Sequence, residues 1–285
     1  MGQNKLAWIT GAGGLIGHWL ARTASQCAPT WRVRPLTRAD LDLLDFAAVT
    51  REFNKDRPQL VLHCAALTRV DAAQANPTLA WRINVEVTRH LAQLAAEISF
   101  VFFSTDLVFD GRQGHYRETD APQPLHTYGE TKAAAEEIVL KNPRHLVVRT
   151  SLNGGISPTG DRGFNERLRR ELRAGRIQKL FTDEFRSPIP ASETARAVWE
   201  LVHRNCTGLF HVAGAEKLSR WQIGQLLVSR WPEISTPIEP ASAKDFSGPP
   251  RPGDTSLDIS KAQNVLSRSL PGLSAWLAAN PQEPF

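Results

Sequence analysis

Short runs rich in β-branched and aromatic residues alternate along this chain with longer segments in which apolar residues return every three or four positions. The runs predict strands at 6–10 (LAWIT), 32–37 (RVRPLT), 59–65 (QLVLHCA), 99–105 (SFVFFST), 145–150 (HLVVRT) and 208–213 (GLFHVA). The periodic segments predict helices near 14–26, 46–55, 78–97, 130–141, 163–174, 192–204 and 219–230. Strand and helix in strict alternation make parallel strands joined by crossover helices. Right-handed crossovers then build an α/β fold with a doubly wound parallel sheet.

After residue 150 the texture changes, and Gly, Pro and Arg crowd into NGGISPTGDRG and PIEPASAKDFSGPPRPGD. Loops of this kind at the carboxyl edge of such a sheet commonly form a substrate lobe. The expected division is 1–150 as a nucleotide-binding unit and 151–285 as a mixed segment that completes the sheet and forms a small C-terminal substrate lobe. The Pro-rich stretch 232–253 reads as a surface loop, because short helical segments at 260–266 and 273–279 follow it.

With 285 residues, of which 41% are hydrophobic and 22% charged, the chain is large enough to bury a core without staples and is not disordered. No apolar run nears the roughly 20 residues of a membrane helix, and the first residues run into a strand and a glycine turn, so no membrane association and a cytoplasmic protein are expected. Cys27, Cys64 and Cys206 lack CxxC spacing and lie among apolar residues, which predicts buried free thiols, without disulfide or metal site. A net charge of +5 suits an anionic ligand. The arginines at 167, 169, 170, 173 and 176 are spread round their helix without interleaved aromatics, so no nucleic-acid partner is expected.

The chemistry begins where the first strand runs out into Thr10-Gly11-Ala12-Gly13-Gly14-Leu15-Ile16-Gly17. Gly11 permits a tight turn, Gly14 lets backbone approach a pyrophosphate, and Gly17 lets helix and strand pack closely. The turn Gly11, Gly14, Leu15, Ile16 and Gly17 is therefore a candidate dinucleotide cradle. After the second strand comes Arg38, where an NAD-selective site would offer a carboxylate. An arginine there pairs with a 2′-phosphate and favours NADP(H), leaving NAD(H) open. Asp42 and Leu43 follow, placed to meet the adenine.

Tyr128 and Lys132 stand four residues apart, on one face of a helix if the segment is helical. A phenol with pKa near 10 releases its proton near neutrality only if its anion is stabilised, and a shift of three units is about 4 kcal/mol. Lys132 is spaced to help. At the end of the fourth strand Thr105 can hold a carbonyl oxygen while the phenol protonates it.

With TGxxGxxG, HCAALT, STDLVFDG and YGETK in this order, the chain resembles the extended short-chain dehydrogenase/reductase family, and within it the dTDP-4-dehydrorhamnose reductases, from residue 5 to beyond 260. The resemblance implies a Rossmann-like domain, NADP(H), Tyr128 as general acid, Lys132 on the nicotinamide ribose lowering the tyrosine pKa, and Thr105 orienting the substrate. By the same carry-over Cys64, Ala65 and Ala66 line the cofactor, Thr68 lies near the nicotinamide, and Val70, Asp106 and Asn153 fall where the family contacts substrate. Arg251, in RPGDTSLD, would meet a nucleotide diphosphate. The implied partner is a small-molecule carbonyl compound, such as a nucleotide sugar, and a homodimer is compatible with it.

The chain departs from those reductases at Leu107 and at Leu152-Asn153-Gly154, where they carry aromatics that face sugar and base. Leu107 also stands where sugar dehydratases carry a basic glutamate, which argues against dehydration. Two alternatives follow from the same superfamily: an NADP-binding regulatory subunit similar to that of methionine adenosyltransferase, and a nucleotide-sugar epimerase.

Overall fold

The computed structural model describes residues 5–283 and Phe285. Its centre is a parallel sheet of six strands. Five come in sequence: β1 (Lys5–Thr10), β2 (Trp31–Leu36), β3 (Leu60–His63), β4 (Ser99–Thr105) and β5 (Leu146–Thr150). Four short strands intervene, β6 (Asn153–Gly154), β7 (Gln178–Phe181), β8 (Phe185–Arg186) and β9 (Ile189–Pro190), before the sixth sheet strand, β10 (Gly208–His211). The sheet order is β2-β1-β3-β4-β5-β10. The order reverses between β1 and β3, which opens a crevice at their carboxyl ends. β2 is an edge strand, and it tolerates Pro35 because an edge has a free side for the missing donor.

Helix α1 (Leu15–Cys27) follows β1, and α2 (Phe46–Asp56) follows β2. The predicted helix 78–97 forms as three consecutive helical segments over 77–94, without a gap, and is preceded by a turn of helix the pattern does not predict. These are α3 (Val70–Ala75), α4 (Pro77–Trp81), a wide π turn (Arg82–Glu86) and α5 (Val87–Leu94). Then come α6 (Thr127–Leu140), α7 (Phe164–Arg173) and α8 (Ala191–His203).

Alternate residues of each inner strand feed two cores, as period-2 geometry requires. Ala7, Ile9, Leu62, Val101 and Phe103 pack against α1 and α8, where Leu20, Ala24, Val198 and Trp199 lie. Leu6, Trp8, Val61, Phe100 and Phe102 pack against α2, α5 and α6 through Val49, Leu91, Ala135 and Val139. Both faces are covered, which is why these strands read as continuous apolar runs.

A third core belongs to the lobe. Two more strands, β11 (Leu218–Ser219) and β12 (Ile238–Ala241), and the helices α9 (Arg220–Val228), α10 (Ser260–Gln263) and α11 (Leu273–Ala279) complete the chain. Leu168 and Leu172 of α7, Ile223 and Leu227 of α9, Trp231, and Leu273 and Leu277 of α11 pack together. The stretch 232–253 is not wholly a loop: β12 pairs with β7 in parallel, and its four residues are too few to show a period in a proline-rich background. Cys27, Cys64 and Cys206 are free and half-buried rather than fully buried. Among the described residues no helix is long and apolar enough to cross a membrane, and no three His, Cys, Asp or Glu side chains cluster to hold a metal ion.

Candidate active site

The turn between β1 and α1 is built by glycine. Gly11 takes φ +70°, and a Cβ there would stand 2.6 Å from the backbone nitrogen of Ala65. A Cβ on Gly17 would stand 2.5 Å from the carbonyl oxygen of Gly11. The helix thus starts hard against the turn, with Gly14 as N-cap and no side chain capping it. Its first N–H groups and dipole are left for an anion. This cradle, with Leu15 and Ile16 opening the helix and Ala65 at its back, fits the pyrophosphate of a dinucleotide.

Beyond β2, Arg38 is 83% exposed and pairs with Asp42 at 3.7 Å, a contact weak enough to yield to a phosphate. Asp42 also accepts the backbone N–H of Leu44 at 3.1 Å, and Leu43 packs half-buried against the core. On the loop after β3, Cys64, Ala65 and Ala66 are half-buried and Thr68 is exposed. Burial pushes the Cys64 thiol well above its ordinary range, so it stays a neutral wall.

Tyr128 and Lys132 lie on the first turns of α6, which begins at Thr127 rather than at the predicted 130. His126 caps it: its Nδ1 accepts the backbone N–H of Gly129 at 3.1 Å, and its ring stacks on Tyr128 with centroids 6.3 Å apart. The same turn is pinned from behind by the π turn. Asn84 Nδ2 donates to Thr131 Oγ1 at 3.0 Å, and that hydroxyl donates to the Tyr128 carbonyl at 2.8 Å. A π turn that aims a side chain at a working residue is a common use of that geometry.

Burial pushes the Tyr128 phenol up to about 12, with Thr105 and the Arg186 charge acting to lower it and Asp106 to raise it. Lys132 is buried with its ammonium 3.9 Å from the centre of the Phe102 ring. Burial lowers it to about 7, against the raising influence of Glu136 one turn further on. Glu136 is itself held by Arg149 in a buried pair, at 2.7 Å from Nη2. The cation that lowers the phenol in this structure is Arg186, not Lys132. Burial likewise lowers His126, helped by Arg186 and Arg251, so the ring is neutral and its Nδ1 is open to accept.

Three residues expected to contact substrate sit differently. Asp106 has no exposed surface and is consumed by Arg186, Ser151, Thr255 and Thr105. Asn153 donates to Thr150 Oγ1 at 2.8 Å and to the Ser151 carbonyl at 3.0 Å, while accepting from Thr194 at 2.7 Å. Asp106, with no exposed surface, therefore braces the site from within, whereas Asn153 is half-buried. Arg251 is turned onto Glu184 at 3.4 Å and lies over the Phe181 and Phe246 rings, still 36% exposed. Val70, by contrast, packs beside Tyr128 with Leu67 and Leu107 and forms the apolar wall of the corner.

The sequence reading missed the charged group behind the corner: Arg186, Glu184 and Arg220. Glu184, 1% exposed, meets Arg220 at 2.8 Å and Arg186 at 3.7 Å. No local pattern marks them: Arg186 lies on the two-residue β8, Glu184 just before it, and Arg220 at the start of α9. A concavity of about 280 Å³ lies elsewhere, between Ser99, Leu146 and Thr207 at the opening edge of the strands. The titratable groups converge at the other edge, where open α/β sheets bind ligands, so the chemistry is assigned there.

The profile of the RmlD substrate binding domain family matches residues 6–279. A relative from Haloferax volcanii named "Probable low-salt glycan biosynthesis reductase" is 33% identical over 96% of each chain. Methionine adenosyltransferase 2 subunit beta of Xenopus laevis is 28% identical, over 92% of this chain and 83% of its own. The crystal structure of dTDP-4-dehydrorhamnose reductase from Bacillus anthracis, in complex with NADP, superposes with a TM-score of 0.87 at 25% identity, covering 97% and 98% of the two chains.

Proposed function

The chain belongs to the RmlD substrate binding domain family, and we propose that it is an NADPH-dependent oxidoreductase of the extended short-chain dehydrogenase/reductase type that reduces a ketone on a nucleotide-linked deoxysugar. The observation that carries this reading is the burial of Thr105, at the end of β4, and of Tyr128 and Lys132, on the first turns of α6, at the carboxyl edge of the sheet. The solved relative with bound NADP supports the cofactor. So does exposed Arg38, where a 2′-phosphate would find a guanidinium.

When bound, the reduced nicotinamide supplies the hydride. The protein supplies the proton and its direction. A phenol held up to about 12 keeps its proton through the neutral range and is a donor to a carbonyl oxygen as negative charge grows there. The phenol O–H bond breaks, the substrate O–H bond forms, and the phenolate is protonated again from the lysine side. Lys132, lowered to about 7, changes charge readily at neutral pH and is suited to that return as well as to the ribose hydroxyls. Thr105 offers a second donor to the same carbonyl oxygen.

The test is NADPH oxidation with dTDP-4-dehydrorhamnose and related nucleotide-linked ketosugars. Tyr128→Phe is expected to lower kcat by about 100-fold or more while leaving NADPH binding in place. Unchanged turnover in that variant removes Tyr128 as the acid. The identity to methionine adenosyltransferase 2 subunit beta favours a second reading, a non-catalytic subunit. A stoichiometric complex with a methionine adenosyltransferase on size exclusion, with no turnover of any ketosugar, would establish that reading instead.

A further inference from the structure

Asp106 follows Thr105 directly and has no exposed surface. Five donors converge on its carboxylate. Arg186 reaches Oδ2 through Nε at 2.6 Å and Oδ1 through Nη2, Ser151 Oγ reaches Oδ2 at 2.5 Å, and Thr255 Oγ1 reaches Oδ2 at 3.2 Å. Thr105 Oγ1 reaches Oδ1 at 3.1 Å. A carboxylate has about four lone-pair positions, so one donor is in excess. The Thr105 bond is among the two longest, and without it Oδ1 still holds the guanidinium and Oδ2 keeps three donors. Neither oxygen is orphaned if Thr105 turns away.

The oxygen of Thr105 is meanwhile fixed, because it accepts the backbone N–H of Leu107 at 3.2 Å. Only its proton is free to swing about the Cβ–Oγ bond. We propose that Asp106 and Arg186 are a positioning pair for the catalytic corner: Asp106 holds the Thr105 proton until a carbonyl oxygen takes it, and Arg186 keeps the carboxylate paired so that the release is easy and its charge is shielded from the Tyr128 phenol. The inference rests on the reading of Tyr128 and Thr105 given above, and neither member of the pair touches substrate.

The groups that face the phenol come from three elements. Thr105 and Asp106 stand at the end of β4, Arg186 on β8, and His126 at the cap of α6. Glu184 and, through it, Arg251 connect to Arg186. Of these, Asp106 raises and Arg186 lowers the phenol, so removing either member moves it in opposite directions.

The chain contains two tyrosines, Tyr116 and Tyr128. In a Tyr116→Phe background, whose ring keeps its stack on Phe109, tyrosinate absorbance near 295 nm reports Tyr128 alone. Asp106→Asn is expected to bring the alkaline titration down by about one pH unit, and Arg186→Met to push it up by a similar amount or beyond alkaline unfolding. Arg186→Lys is expected to lie between Arg186→Met and the parent. The double variant should return toward the parent. If Arg186→Met does not fold, as judged by near-ultraviolet circular dichroism, the Asp106→Asn arm decides alone. Titrations coinciding within about 0.3 unit in Asp106→Asn and the parent would overturn the positioning pair and leave both residues as structural bracing. That outcome leaves the reductase reading standing, whereas undiminished turnover in Tyr128→Phe would remove Tyr128 as the acid and not the titration result.

Discussion

Lys132 lies buried one helical turn from Tyr128, with Phe102 beneath its ammonium at 3.9 Å. Burial lowers its pKa from 10.5 to about 7, so the unfolded chain binds this proton more tightly than the folded one. The penalty is full below pH 7 and is relieved as pH rises from 7 to 10.5, because stability grows with pH wherever the unfolded state holds more protons. Lys132→Met removes the penalty while keeping the apolar stem. The variant is expected to melt several degrees above the parent at pH 7, gaining a few kcal/mol, with the difference closing by pH 10. It should also lose about 100-fold or more in kcat, a stability gain made at an active site. Thermal melts at pH 7 and 10 check this, and a variant no more stable than the parent at pH 7 contradicts the account. The Tyr128–Lys132 pair was legible in the sequence because four-residue spacing on a helix is local geometry. The residues around it were not. Asp106 meets Arg186 across 80 positions and Thr255 across 149, and nothing near Asp106 in sequence distinguishes a buried anchor from a ligand contact.

At the scale of elements, the long strands and helices announced themselves because both faces of the sheet are covered and each helix shows one apolar side to it. β6, β8, β9 and β11 are two residues long, shorter than one full period of side-chain alternation, and pass unnoticed. The predicted helix at 78–97 forms over 77–94, and what the pattern did not show is the π turn inside it. The apolar pattern is continuous there, but Asn76 caps a new start ahead of Pro77, and the π turn at Arg82–Glu86 reorients Asn84 toward Leu67 and Thr131. The glycine turn was legible by composition, and the structure separates its members. A Cβ at Gly17 would collide with Gly11 at 2.5 Å, whereas one at Gly13 meets nothing closer than Thr37 Cγ2 at 3.8 Å. Gly17→Ala is therefore expected to push α1 off the turn and weaken NADPH binding by about tenfold or more, a loss of about 1.4 kcal/mol. Gly13→Ala should leave the unliganded fold and its melting temperature unchanged. Titration of NADPH fluorescence against both variants compares them directly, and equal affinities would mean the helix start does not set the site.

For the whole molecule, the sheet is closed by chain that lies beyond the lobe's first half. β10 pairs with β5 in parallel, and α8 packs on α1, where Trp199 Nε1 donates to the Leu20 carbonyl at 3.0 Å. The sheet formed by the first 150 residues thus depends on residues near 200. Two buried histidines belong to this sheet. His63 on β3 sits between Thr10 and Thr88 hydroxyls at 2.7 and 3.1 Å, and His211 on β10 meets the Asp258 carbonyl at 3.1 Å. Burial lowers both from 6.5 to about 3, with Lys132 adding to the effect at His63 and Arg149 at His211. Between pH 6.5 and 3 the unfolded chain therefore takes up protons that the folded chain refuses, and stability falls as the solution is acidified through that window. Each histidine is expected to remove about 2 kcal/mol by pH 5 relative to pH 7.5, enough to shift the urea midpoint clearly in a protein of ordinary marginal stability. Replacing His63 or His211 by Gln should lower stability at pH 7.5 through lost contacts yet flatten the dependence on pH by a similar 2 kcal/mol or so. Equal urea midpoints for the parent protein at pH 5 and 7.5 would show that these rings are protonated in the folded state, and that the sheet opens to water where the structure has it closed.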